Sequence, residues 1–163
     1  MKTILIGYGN PDRQDDGAAW HTLLKVAKAI HYPIPESFST CFLPLNQSVD
    51  LVSMLQLTPE IAEAIAGYDR VFFIDAHTGD QSEDLMLTKV EPCFQHSPLT
   101  HHFTPQSCME IVHSIYHKDP EAWLISIKGY LFEFEDKLSE PAVRTVDQAV
   151  QWLLSRIDPA ALN

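Results

Sequence analysis

Three places in this 163-residue chain gather side chains able to do chemistry. Two adjacent carboxylates, Asp15 and Asp16, follow the loop Gly7-Tyr8-Gly9-Asn10-Pro11. One carboxylate, Asp75, interrupts the apolar run Val71-Phe72-Phe73-Ile74. Two adjacent imidazoles, His101 and His102, stand just ahead of Phe103-Thr104-Pro105. Carboxylate oxygens and an imidazole nitrogen suit a divalent transition metal and leave coordination positions open for a further ligand. Such donors do not separate nickel from zinc or manganese. They describe a divalent metal site of a kind that can serve hydrolysis. Each group also has a plainer use. Asp15 or Asp16 would cap the helix that follows and be stabilised by its dipole. Asp75 would close a turn at a strand end, and His101 or His102 would be an exposed loop histidine. HExxH is absent, and no Ser-His-Asp or Cys-His arrangement stands out.

The elements that must position these groups alternate in type. Thr3-Ile4-Leu5-Ile6 reads as a buried parallel strand. Gly17 to Ile30 reads as a helix, with Trp20, Leu23, Leu24, Ala27 and Ile30 near helical spacing. Ser37 to Leu43 alternates as a second strand does. Pro44 to Leu55 reads as irregular, with a short helix within Asp50 to Leu55. Thr58-Pro59-Glu60 starts a further helix, with Thr58 as its cap, and Gly67 stops it. Arg70 to Ala76 is the clearest strand, apolar on both faces until Asp75. A turn at His77 to Asp80 leads to Leu85–Val90, an antiparallel edge strand for which Lys89 is suited. Pro92 to Thr100 is loop. Thr104 and Pro105 start a helix from about Gln106 to Tyr116, with Cys108 in its core. Glu121 to Lys128 is a strand. Gly129 to Lys137 is acidic and aromatic, either an extended stretch at the sheet edge or a loop near a partner. Ser139 caps a last helix reaching Ile157, whose core stripe is Val143, Val146, Ala149, Val150, Leu153 and Leu154. With no internal repeat or linker, this order predicts one α/β domain over residues 1–163. It would be a three-layer α/β/α sandwich on a mostly parallel, mixed sheet of about five strands. Right-handed crossovers bring the loops bearing Asp16, Asp75 and the histidines to one edge of that sheet, where open α/β folds place their sites.

Gly7-x-Gly9-Asn10-Pro11-x-x-x-Asp15-Asp16-Gly17 resembles the N-terminal signature of the [NiFe]-hydrogenase maturation endopeptidases. That family removes the C-terminus of a hydrogenase large subunit once nickel is in place. Gln56-Leu57-Thr58-Pro59-Glu60, followed by a helix and Tyr68-Asp69, is similar to one branch of it. The resemblance covers essentially the whole chain; one departure is Ala19, where the family often has glycine. It implies that Asp16, the second acidic residue of the pair, is a metal-contacting carboxylate. It implies Asp75 as the second contact and a histidine ahead of the third long helix as the third. Counting back from Cys108-Met109 favours His101 for that role, with His102 as the alternative. It further implies that the metal is nickel, a divalent ion supplied by the substrate protein, and that the partner is the large-subunit precursor. The same Asp16, Asp75 and His101 would then place the scissile bond, and the function would be that of a metal-dependent endopeptidase.

The bulk composition narrows the alternatives. With 45% hydrophobic and 10% aromatic residues the chain is not a disordered one. A net charge of −11 argues against nucleic-acid binding and against adsorption to anionic membranes. Cys41, Cys93 and Cys108 form neither a CxxC nor an evident disulfide framework, and the N-terminal apolar run is too short for a signal peptide. A cytoplasmic protein, monomeric or weakly oligomeric, is expected. The first rival is a non-enzymatic, receiver-like phosphoacceptor domain, which also uses an acidic pair and a strand-end aspartate, with Lys128 as its lysine. The second is a dinucleotide-binding module, for which Gly7-x-Gly9 is only a fragment and Asp12 would repel a pyrophosphate. A partner-binding protein that has lost activity is the third.

Overall fold

The N-terminal apolar run continues further than its hydropathy implies. In the computed structural model, which describes residues 1–37, 40–79, 83–94 and 102–157, β1 is Thr3–Tyr8, and all six of its residues are buried. It pairs in parallel with β2 (Val49–Met54) on one side and β3 (Arg70–His77) on the other. β3 pairs in parallel with β5 (Glu121–Lys128), and β4 (Leu85–Lys89) runs antiparallel on the far edge of β5. The sheet order is β2-β1-β3-β5-β4. The predicted mixed, mostly parallel, five-stranded sheet is thus present, with its antiparallel strand at the edge as expected.

The strand period of two sorts the side chains into two cores. Leu5, Leu51, Phe72, Ile74, Ile125 and Ile127 pack under α1 (Ala18–Ala29) and α4 (Glu140–Leu154). Ile4, Ile6, Tyr8, Val52, Val71 and Phe73 pack under α2 (Ile61–Ile65) and α3 (Pro105–Tyr116). This gives the three layers. α3 and α4 begin as their sequences predict. The Thr104 hydroxyl accepts from the Ser107 N–H at 3.2 Å, and the Ser139 hydroxyl from the Ala142 N–H at 3.4 Å, each with a proline in the first turn. Cys108 is buried in the α3 core, as expected.

Several expectations are corrected. The described part of Ser37–Leu43 is not a strand, and the short helix expected within Asp50–Leu55 is instead β2. Two polar residues disguise β2. Asp50 is fully buried, yet its carboxylate accepts from the Tyr68 hydroxyl at 2.7 Å, the Leu45 N–H at 2.7 Å and the Tyr32 hydroxyl at 3.1 Å. Ser53 accepts from the Phe42 N–H at 2.8 Å and donates its own N–H to the Phe42 carbonyl at 3.3 Å. Apart from Leu45, five positions away, these partners lie 11 to 18 positions from the strand residues they serve, so a run broken by a carboxylate still makes a buried strand. Thr58 does not cap α2; a hydrogen-bonded turn through Pro59 and Glu60 intervenes, and Glu60 holds the cap position. Val143 is 37% exposed and leaves the core stripe of α4. Of the two readings of Gly129–Lys137, the loop is the one observed, and it continues to 139. Among the described residues no helix is long and apolar enough to cross a membrane.

Candidate functional site

The loop after β1 is fixed from both ends. Gly9 adopts φ 135°, a conformation that L side chains rarely adopt, and a Cβ there would lie 2.2 Å from the Asp16 carbonyl oxygen. The Trp20 indole N–H donates to the Gly9 carbonyl at 3.0 Å, and the Gly9 N–H donates to the Met54 carbonyl at 3.2 Å. The chain then enters a 3-10 turn, Gln14–Gly17, and passes straight into α1.

Asp15 and Asp16 are separated by this turn into different roles. Neither caps α1 through its side chain; Gly17 occupies the cap position. Asp15 is fully buried. One of its carboxylate oxygens accepts from the Tyr130 N–H (2.8 Å), the Leu131 N–H (3.0 Å) and the Ser139 hydroxyl (2.6 Å). The other accepts from the Ser139 N–H (2.8 Å). Burial alone would raise its pKa, but these hydrogen bonds together hold it below the ordinary aspartate value. Asp16 is half-buried, and one of its oxygens accepts from the Asn10 N–H at 2.9 Å. Its other oxygen makes no hydrogen bond among the described residues.

Asp75 lies near the carboxyl end of β3. The alternation that sends Val71 and Phe73 to the α2–α3 face sends Asp75 there too, one step beyond the Gly7–Ile74 pairing and beside Tyr8. Burial pushes the Asp75 carboxyl up to about 7, and the charge of Asp16 adds to the rise; the Ala76 N–H and the Tyr8 hydroxyl act in the opposite direction. Burial, then the Asp75 carboxylate, push the Tyr8 phenol far above its ordinary value, so the hydroxyl keeps its proton. The structure therefore brings Asp16 and Asp75 together at the carboxyl edge of the sheet and leaves Asp15 out.

His101, the favoured third contact, lies outside the described residues. His102 is exposed, at the start of the short segment leading to the Thr104 cap of α3. Among the described residues no group of three or more His, Cys, Asp and Glu side chains is arranged to hold a metal. The two carboxylates nonetheless fit a cation: two like charges, one of them desolvated, repel each other until a positive charge lies between them. Hard oxygen donors of this kind suit a divalent ion.

Three residues at this edge escape the motif reading. Tyr8 reads as loop between two glycines, but it is the last residue of β1 and points at Asp75. His77, expected in a turn, is the last residue of β3. Its Nδ1 lies 3.0 Å from the Ser126 hydroxyl oxygen, and its Nε2 is buried with no hydrogen-bond partner among the described residues. Ser126 in turn is the β5 residue paired with Asp75. The only signal for Tyr8 and His77 is strand parity, visible once the true strand ends are known.

No family model matches the chain, and no curated protein matches it. Solved structures do. The [NiFe] hydrogenase maturation protease HybD from Thermococcus kodakarensis superposes with a TM-score of 0.70 at 17% identity, covering 97% of this chain and 100% of that one. The chain shares its fold. The hydrogenase maturating endopeptidase HybD from E. coli gives 0.67 at 12% identity, over 96% of this chain and 91% of the other. The maturation protease HycI from Thermococcus kodakarensis KOD1 gives 0.67 at 15% identity, again over 96% and 91%.

Proposed function

We propose that this protein is a hydrogenase maturation endopeptidase, which removes the C-terminal extension of a nickel-loaded large-subunit precursor. The observation that carries the reading is the Asp16–Asp75 pair. It is a half-buried, mutually repelling pair of carboxylates, at the edge where open α/β sheets place their sites, in a fold shared with maturation proteases. The nickel belongs to the substrate. Asp16, Asp75 and His101, with His102 as the alternative, are its contacts on this chain. Asp16 offers the oxygen not taken by Asn10, while the Tyr8 hydroxyl steadies Asp75. Cleavage adds one water across the scissile amide, giving a new carboxylate on the mature subunit and a free amine on the released peptide. This chain's residues orient the nickel-bearing segment so that one peptide bond lies at the site. A cytoplasmic location and a monomeric or weakly oligomeric state belong to the same proposal.

The rivals lose support from the same geometry. A phosphoacceptor site needs both members of its acidic pair at the cation, whereas Asp15 is consumed by Tyr130, Leu131 and Ser139. A dinucleotide needs backbone approach at the glycine loop, whereas Asp16 closes over Gly9. The test is incubation with the cognate precursor, nickel-loaded and nickel-free, followed by mass spectrometry. Loss of a C-terminal peptide from the nickel-loaded form alone is expected. An intact precursor in both forms, with folded enzyme and a confirmed cognate pair, overturns the proposal.

A further inference from the structure

The loop from 129 to 139 carries an arrangement that the cleavage reaction does not use. Phe134 is 84% exposed, Leu131 50% and Tyr130 37%. Tyr130 is partly engaged, its hydroxyl donating to Asp84 at 2.5 Å and its ring centroid lying 5.3 Å from the Lys128 ammonium. Leu131 and Phe134, however, are large apolar side chains left exposed in one short loop, which points to a contact with another molecule. Their exposure does not come from a loose tether. The Gln14 N–H donates to the Glu135 carbonyl at 2.8 Å, and the Asp15 N–H to the Leu131 carbonyl at 3.1 Å. Arg13 Nε donates to the Phe132 carbonyl at 3.2 Å, and the His21 ring lies 3.0 Å from the Asp136 carbonyl. Together with the bonds to the Asp15 carboxylate, these lash the loop to the segment that supplies Asp16. The aromatic tip is presented by the scaffold of the site itself.

The chemistry around the tip selects its occupant. Asp12, Glu133, Glu135 and Asp136 are all exposed, and Asp12, Phe134, Glu135, Asp136 and Lys137 line an open depression of about 760 Å³. A guanidinium already sits on this surface: Arg13 lies 5.2 Å from the centroid of the Phe134 ring, a cation–π arrangement. An aromatic face ringed by carboxylates favours a segment that carries Lys or Arg beside apolar residues.

We propose that residues 130–137 form a docking rim for a basic, apolar segment of the precursor protein, holding it against the loop that supplies Asp16. The inference rests on the function proposed above, since that function supplies the occupant. Binding of the nickel-loaded precursor is measured by biolayer interferometry and cleavage by steady-state kinetics, for wild type, Phe134→Ser and the pair Glu135→Lys/Asp136→Lys. Both variants are expected to weaken binding and raise KM about tenfold, with kcat within about twofold, as for loss of uniform binding. Added salt should weaken wild-type binding and leave the charge-reversed protein nearly unaffected. Wild-type binding and KM in both variants overturn the rim. Loss in Phe134→Ser alone overturns the basic character of the occupant. If wild type binds without cutting and Phe134→Ser loses binding, the rim stands and the peptidase reading falls. If wild type neither binds nor cuts, both fall. A urea melt of each variant confirms that the exposed substitutions leave the fold intact.

Discussion

Asp15 offers a direct quantitative test, because its carboxylate is fully buried and yet satisfied four times over. Asp15→Ala removes every acceptor and leaves the N–H groups of Tyr130, Leu131 and Ser139 unpaired beside a small void. Each buried donor left unmade is worth about 1–3 kcal/mol, and water entering from the loop side recovers part of it; the net loss should be about 3–5 kcal/mol. Asp15→Asn keeps the shape but not the chemistry. One oxygen already serves three donors, so the amide NH2 must face the Ser139 N–H, donor against donor, for a loss of about 2 kcal/mol. The assay is urea unfolding followed by tryptophan fluorescence. The charge adds a pH signature. Because the folded pKa lies below the unfolded one, the stabilisation is fully present above the unfolded aspartate value of about 4 and fades as pH falls through the folded value. The gap between wild type and Asp15→Asn should therefore be constant from pH 5 to 8 and narrow below about pH 4. An Asp15→Ala protein within about 0.5 kcal/mol of wild type would refute the idea that this carboxylate holds the loop.

Asp75→Asn should abolish processing while leaving stability unchanged or about 1 kcal/mol higher, since it removes a repelling, desolvated charge; parallel melts and a processing assay decide it. Asp16→Ala should likewise end processing with the fold retained, and Asp16→Glu should keep part of it by preserving an oxygen donor. Tyr8→Phe removes the hydroxyl beside Asp75 and should slow processing about 10–100-fold with little change in the urea midpoint. Gly9→Ala should lose processing and about 3 kcal/mol of stability without touching a functional group, because its Cβ collides with the Asp16 carbonyl; circular dichroism melts would show it.

How far the sequence could be read depended on where each residue finds its partners. β3, β5, α3 and α4 declare themselves through local signals: a continuous apolar run, or Thr and Ser caps followed by proline. β2 does not, because Asp50 depends on Tyr32 and Tyr68, each 18 residues away. The carboxyl edge was legible as the place where Asp16 and Asp75 meet. What separates Asp16 from Asp15 was not legible. That distinction rests on donors at Tyr130, Leu131 and Ser139, more than 110 residues downstream. His101 lies outside the described residues, so its place beside the pair is carried by the proposal alone.

The bond between Asp15 and Ser139 spans 124 positions of the chain. A chain made from its amino end lays down Asp16 and Asp75 early, with β1 and β3 already able to pair. Asp15, however, waits for its donors until the segment that begins α4 has emerged. Until then a carboxylate destined for the interior stays hydrated, and the turn that aims its neighbour has nothing to brace it. The aim of Asp16 is thereby tied to the emergence of the start of the last helix, and a chain interrupted before Ser139 would carry both carboxylates without the means to aim them.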